Sequence, residues 1–347
     1  MNNELSCPLP MNEYDKVLLA HGSGGTLSNK LYNDVIFSEL MNEYLYDIHD
    51  SAIVTSGGQK IAFTTDSYVV KPIFFPGGDI GKLAVFGTVN DLAVVGAKPS
   101  FISCGFIIEE GLLMSELKKI VHSIFEASLK ANVKVVTGDT KVVEKSKGDK
   151  IYINTSGIGI FDREILISPK RCKDGDVIII NGYIGNHGIA VMLEREGIRF
   201  ESKIESDCAP LNDLISNILN IGIDVHMMRD ATRGGVASVL NEIAKSGNVG
   251  ILLYEENLPI QEEVKSACEI MGFDPLYVAN EGKVIIVADA SDADKIVSIM
   301  KQHELGKNAA VIGEVISNNA GVVTMKTVIG TTRIVDMISG EQLPRIC

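Results

Sequence analysis

Apolar positions along this chain recur with two periods, and the alternation between them predicts its elements. Over 115–131, Leu117, Ile120, Val121, Ile124 and Phe125 recur at helical spacing, with Ser115 available as N-cap, and predict the helix Ser115–Ala131. Short apolar runs at Ser51–Thr55 and Lys60–Thr65 read as strands joined across Ser56-Gly57-Gly58-Gln59, a hairpin signal. Gly81–Val95 reads as a helix lined with small residues, and Ser100–Ile108, Val133–Thr137 and Ile151–Ile160 as strands. The rhythm breaks over Phe161–Lys173, a polar stretch interrupted by Pro169, and then resumes. Strands follow at Asp176–Asn181, Asp224–Met228, Val249–Tyr254, Val284–Asp289, Ala309–Val315 and Gly321–Met325, and helices at Gly188–Glu196, Gly234–Ser246 and Ala293–His303. The break predicts a domain boundary, giving a domain over 1–165, a second over 166–335, and a short tail, 336–347, that contains Gly340 and Pro344.

A length of 347 residues is too much for one ordinary core and suits two, and 46% hydrophobic residues suffice to fill both. No apolar run approaches 18 residues, so no transmembrane helix is expected. Met1–Met11 lacks a basic stretch followed by an apolar one, so no secretory signal is expected either. The net charge of -13, without a basic stripe, argues against nucleic acid as a partner. None of the six cysteines (Cys7, Cys104, Cys172, Cys208, Cys268, Cys347) forms a Cys-x-x-Cys pair, which argues against a zinc knuckle or a disulfide framework and fits the reducing cytoplasm. The internal cysteines read as small core hydrophobes; Cys347 differs in being the last residue.

Asp50, Asp66, Asp91, Asp139 and Asp230 all fall where strands end or helices begin. Carboxylates at such positions serve either as magnesium ligands, oxygen donors that bridge the ion to phosphates, or as plain helix caps and turn formers; taken together, the group favours metal binding. His21-Gly22-Ser23-Gly24-Gly25 is either a turn whose backbone N–H groups approach phosphate or merely a flexible turn. Lys141, in Gly138-Asp139-Thr140-Lys141, is a candidate point cation for phosphate or a solvated lysine. In Asp230-Ala231-Thr232-Arg233-Gly234-Gly235 an acid and an arginine precede a helix N-terminus that favours anions. Gly182, Gly185 and Gly188 shape a turn that leaves His187 on the surface. Glu281, between Asn280 and Gly282, reads as a general base or a turn carboxylate.

These motifs, with Thr64-Thr65-Asp66-Ser67, Asn90-Asp91-Leu92-Ala93, Gly96-Ala97-Lys98-Pro99 and the ending Pro344-Arg345-Ile346-Cys347, run almost the whole length of the chain. On them the chain resembles the HypE family of hydrogenase maturation proteins, the carbamoyl dehydratases. That family lies within a superfamily that includes aminoimidazole ribonucleotide synthetase, selenophosphate synthetase and thiamine-monophosphate kinase. The inner motifs select the superfamily; the Pro-Arg-Ile-Cys ending selects the family. The resemblance implies a two-domain α+β fold whose N-terminal domains pair in a homodimer, with nucleotide sites near the interface and a flexible C-terminal tail. It implies ATP and Mg2+, and dehydration of an S-carbamoyl group on Cys347 to a thiocyanate, the source of cyanide ligands for the iron of nickel–iron hydrogenase. It also implies two partners, a HypF-type carbamoyltransferase and the iron-carrying HypC–HypD-type scaffold.

In that chemistry the γ-phosphoryl of ATP moves to the carbamoyl oxygen and then leaves as phosphate. The roles implied are metal binding by Asp50, Asp66, Asp91 and Asp230, and nucleotide contact by His21, Gly22, Ser23, Gly24, Gly25, Asp139, Thr140 and Arg233. Lys141 would stabilise the transferred group, Glu281 would take the proton, and Cys347 would carry the substrate. Two other readings compete: a superfamily enzyme acting on a free small molecule, with no role for Cys347, and a non-catalytic carrier whose tail thiol shuttles a group.

Overall fold

The computed structural model describes residues 16–46, 49–200, 203–338 and 346–347. Two short helices, α1 (Thr26–Leu31) and α2 (Phe37–Leu40), precede a hairpin of β1 (Ala52–Ser56) and β2 (Gln59–Tyr68). Its turn sets Gly57 and Gly58 at φ +59° and +80°; the backbone twist of a two-residue hairpin turn asks for positive φ at both positions, and only glycine adopts it freely. There follow β3 (Phe74–Phe75), β4 (Gly78–Asp79), α3 (Ile80–Val94), β5 (Lys98–Glu109), α4 (Met114–Lys130), β6 (Lys134–Val143) and β7 (Ile151–Ile160). Strands pair in the order β1-β2-β7-β5-β6, all antiparallel except β5 with β6, which α4 connects as a crossover.

The second half contains β8 (Asp176–Ile180), α5 (Asn186–Glu196), α6 (Asn212–Asn220), β9 (Val225–Asp230), α7 (Gly235–Gly247) and β10 (Gly250–Tyr254). It continues with α8 (Glu262–Met271), β11 (Val284–Asp289), α9 (Ala293–Gln302), β12 (Ala310–Ile316), β13 (Val323–Lys326) and β14 (Thr332–Ile334). Its sheet runs β14-β13-β10-β12-β8-β11-β9, with β10 and β13 the parallel pair. The architecture is the α+β fold that the resemblance implies, with two large sheets and the two-stranded pair β3–β4.

Three local expectations are corrected. Leu113, not Ser115, occupies the N-cap of α4; Ser115 lies inside the first turn. Gly138–Lys141 does not follow a strand but lies within β6, because β5 is long enough to pair with it as far as Val143. The apolar pattern also gave no helix at α6 or α8, although Leu214, Ile215, Ile218 and Leu219 are buried along one side of α6.

Helix α3 explains how the halves meet. Almost every side along it is buried, as expected of a helix with no solvent face. It packs on β2, β5 and β7 of its own sheet and against α6 and β9 of the second half. Asn90 ties the two across this seam: its side chain donates to Ala209 O at 3.1 Å and accepts from Leu211 N at 2.8 Å. Among the described residues nothing covers the opposite face of the five-stranded sheet, and Phe63, Phe101, Ile107 and Ile158 are exposed. Strand β6 at its edge is exposed from Lys134 to Val142.

Candidate functional site

Three chain segments converge beside α3. Asp50 precedes β1, Asp91 rides on α3 and Asp230 ends β9, and one carboxylate oxygen of each lies within 4.8 Å of the others. Asp91 Oδ2 accepts from Thr64 Oγ1 at 2.7 Å, and the Asp91 carbonyl accepts from Ser51 Oγ at 2.9 Å. Arg229 Nε lies 2.8 Å from Asp50 Oδ1, and Arg229 Nη2 lies 3.0 Å from Glu242 Oε2. Burial works against the Asp50 charge, but the Arg229 guanidinium and His49 outweigh it and hold this carboxyl below the ordinary range. The other two go the opposite way. Burial, then Asp230, Asp50 and Asp66, push Asp91 well up; burial and then Asp50 do the same to Asp230 despite Arg229. Close-set hard oxygens that repel one another's charge are the donor set a magnesium ion takes. Of the four acids expected to bind metal, three form the cluster; Asp66, on β2, stands near enough to raise both Asp91 and Asp230.

The same acids act on a second group of residues. Glu281 is 3% exposed, and among the described residues its Oε1 has no hydrogen-bond partner. Burial, Asp230, Asp207 and Asp66 raise its pKa well above the ordinary range, against the opposing charge of Arg233. Asp207, which the sequence gave no reason to single out, fixes this segment. Its carboxylate accepts from the backbone N–H of Glu281 and of Gly282, each at 3.1 Å, and pairs with buried Lys283 at 2.9 Å. The half-buried Cys347 thiol belongs here too: burial pushes its pKa up, Arg233 opposes, and Glu281, Asp66 and Asp230 add to the rise. The chain's last residue therefore sits in the field of the acid cluster.

The glycine-rich segment lies against Arg233 and Ile338. Arg233 Nη1 donates to Gly22 O at 3.1 Å. A Cβ on Gly24 would come 3.0 Å from the Arg233 backbone, and one on Gly25 would collide with Ile338 O, so close packing of the chain on itself requires both glycines. His21 accepts from Leu18 N at 3.0 Å, and Ser23 Oγ donates to Ala20 O at 2.8 Å.

Asp139, Thr140 and Lys141 stand apart. They are on β6, three strand spacings from β2, roughly 14 Å. Lys141 Nζ pairs with Asp139 Oδ2 at 2.7 Å, both side chains 70% exposed. Within one chain this motif and the acid cluster are not brought together.

His187 was expected on the surface and is instead fully buried. Its ring packs edge-on to Phe75 at 5.4 Å between centroids; Nδ1 lies 2.8 Å from Ser206 Oγ and Nε2 3.0 Å from Ile346 O. A glycine turn suggested exposure, but Gly188 N bonds to Ala279 O and draws the start of α5 into the seam. The tail, expected to be flexible, is described only at its ends, 336–338 and 346–347; its tip is seated, with Ile346 3% exposed and Cys347 O accepting from Val69 N at 3.2 Å.

Comparison with known proteins adds the following. Residues 48–161 match the family model of the AIR synthase related protein N-terminal domain, and residues 173–326 that of its C-terminal domain. The carbamoyl dehydratase HypE of Cupriavidus necator is 44% identical over 340 residues, which cover 97% of each chain. A solved HypE–HypF complex contains a chain 52% identical, with a TM-score of 0.84, covering 89% of this chain and 99% of that one. A HypE structure in complex with ATP is 43% identical, with a TM-score of 0.80, covering 96% of this chain and all of that one.

Proposed function

The chain belongs to the HypE family of carbamoyl dehydratases that serve hydrogenase maturation, and on that premise we propose that it dehydrates an S-carbamoyl group on its own Cys347 to a thiocyanate. One observation carries the reading: the terminal thiol is seated beside Glu281 and Arg233, in the field of the acid cluster, rather than splayed into solvent. A carbamoyl oxygen is a poor leaving group. Transfer of the γ-phosphoryl group of ATP onto it, with release of ADP and of one of the two nitrogen protons, gives an O-phosphorylated imidate. Loss of the other nitrogen proton and departure of phosphate then leave the carbon–nitrogen triple bond.

The residues supply what those steps need. Asp50, Asp91 and Asp230, with Asp66 beside them, would hold magnesium, which spreads the phosphate charge. Arg233, next to the thiol, would stabilise negative charge on the transferred group. Glu281 is the proton acceptor: a carboxylate whose pKa is driven up by burial is a stronger base than an exposed one. The exposed apolar face around Phe63, Phe101 and Ile158 suits pairing with a second copy, and in such a homodimer Lys141 and Asp139 of one copy would approach the site of the other. Loading of the thiol by a HypF-type transferase and delivery to a HypC–HypD-type scaffold complete the reading, in a cytoplasmic setting.

The test is a single turnover with carbamoylated protein and magnesium–ATP. The C-terminal peptide should lose the mass of one water as ADP and phosphate appear in equal amounts. Cys347→Ser should bind ATP normally and form no product. Thiocyanate on another cysteine would overturn the proposal.

A further inference from the structure

We propose that His187 is a positioning residue that seats the chain end by holding the Ile346 carbonyl. The inference deepens the reading above and rests on it for the purpose of the seating, though not for the seating itself. Ser206 Oγ is 2.8 Å from Nδ1 and also accepts from Cys208 N at 3.1 Å, so its hydroxyl hydrogen is free to donate to Nδ1. The ring proton then belongs to Nε2, which donates to Ile346 O at 3.0 Å. Burial disfavours the protonated ring, so the imidazole stays neutral and keeps this tautomer. Phe75 fixes the ring plane from the side.

One residue further on, Val69 N donates to the terminal oxygen of Cys347 at 3.2 Å, so the last two residues are held by one donor from each half of the molecule. Between these points the Ile346 side chain joins an apolar cluster that includes Val70, Phe75, Val191 and Ala279. The peptide unit, not the cysteine side chain, carries the hold, and the thiol is left within electrostatic reach of Arg233 and Glu281. A fully buried histidine with both ring nitrogens committed, one of them to the chain end, is costly to place unless its bonds are kept.

The experiment reads how often the chain end leaves its seat. The full-length protein, without nucleotide, is treated with iodoacetamide, and alkylation of Cys347 is followed by the mass of the peptide released after Glu341. A seated thiol is shielded and has a raised pKa, so it should react slowly. His187→Ala should speed its alkylation by about tenfold, the equivalent of losing one buried hydrogen bond. His187→Gln, whose amide can reach the same carbonyl, should restore most of the protection. Ser206→Ala, a milder change, should give a smaller acceleration by freeing the tautomer. Thermal midpoints identify any variant that has lost its fold; if His187→Ala has, Ser206→Ala carries the test, and an unchanged alkylation rate in it would overturn the proposal. An unchanged alkylation rate in folded His187→Ala, or equal rates in the Ala and Gln variants, would overturn the proposal. Because alkylation does not involve dehydration, this result stands or falls separately from the proposed activity.

Discussion

Asp91 shows how a single residue is balanced between stability and binding. Its carboxyl is buried among Asp230, Asp50 and Asp66, and its folded pKa lies well above the unfolded value near 3.8. A carboxyl shifted upward binds more protons when folded, so its contribution to stability is full at low pH and is lost as pH rises from about 4 through the folded value. Asp91→Asn removes that loss. In the presence of a chelator at pH 8 the variant should melt about 2 °C or more above the unaltered protein, and the gap should narrow towards pH 5. Magnesium should then raise the melting point of the unaltered protein more than that of the variant. A variant less stable than its parent in chelator at pH 8 would mean that Asp91 is charged and satisfied without a cation. Glu281→Gln tests the base at the same scale. It should bind ATP with near-normal affinity yet slow turnover by about a hundredfold or more, since proton transfer contributes mainly to kcat. Normal turnover at saturating ATP would remove Glu281 from that role.

At the scale of elements, α3 bears the greatest structural demand because it carries Asp91 while packed on all sides. Its start is fixed by Asp79, whose Oδ1 accepts from Gly81 N at 2.7 Å and Lys82 N at 3.2 Å. Asp79→Ala should cost about 1 kcal/mol in urea unfolding without altering the magnesium response. The turn from β9 to α7 is more exacting. Gly235 has φ +60°, and a Cβ there would lie 2.5 Å from Leu276 O and 2.7 Å from Val278 O. Gly235→Ala should therefore destabilise the fold by more than 2 kcal/mol and also displace Asp230 and Arg233, so that stability and ATP affinity fall together. Retention of both would mean that the turn relaxes at no cost.

For the whole molecule, the open face of the five-stranded sheet and the distant Lys141 pose one problem with one proposed answer. If a second copy covers that face, Ile158→Lys should convert a dimer into monomers on sedimentation and abolish turnover, although its exposed side chain lies on the face of the sheet opposite α3, which carries Asp91. Lys141→Ala alone should slow phosphoryl transfer by about a hundredfold. Mixing and reassembling Lys141→Ala with Glu281→Gln should then recover part of the activity, because one of the two sites in the mixed dimer would be intact. No recovery from proven mixed dimers would place Lys141 in the site of its own chain.

Apolar periodicity along the chain was enough to place most strands and helices, because it reports which side of each element is buried; the two-domain α+β fold itself came from the family resemblance, not from spacing. The acids and the terminal cysteine were also singled out by their motifs, but the expectation that the acids fall at strand ends or helix starts holds only for Asp50 and Asp230: Asp66 lies within β2, Asp91 within α3 and Asp139 within β6. Hairpin β1–β2 was legible for a local reason: its Gly57-Gly58 turn is written in adjacent residues. Which acids meet depends on long-range packing. Asp50, Asp91 and Asp230 are far apart in sequence, and their convergence depends on how α3 lies against β2 and β9. Tertiary packing likewise decided that Asp207 supports Glu281, that Lys141 stands on an exposed edge, and that His187, read as a surface residue, lies buried against the chain end. Local pattern fixes the face a side chain presents, whereas long-range packing sets what that face meets.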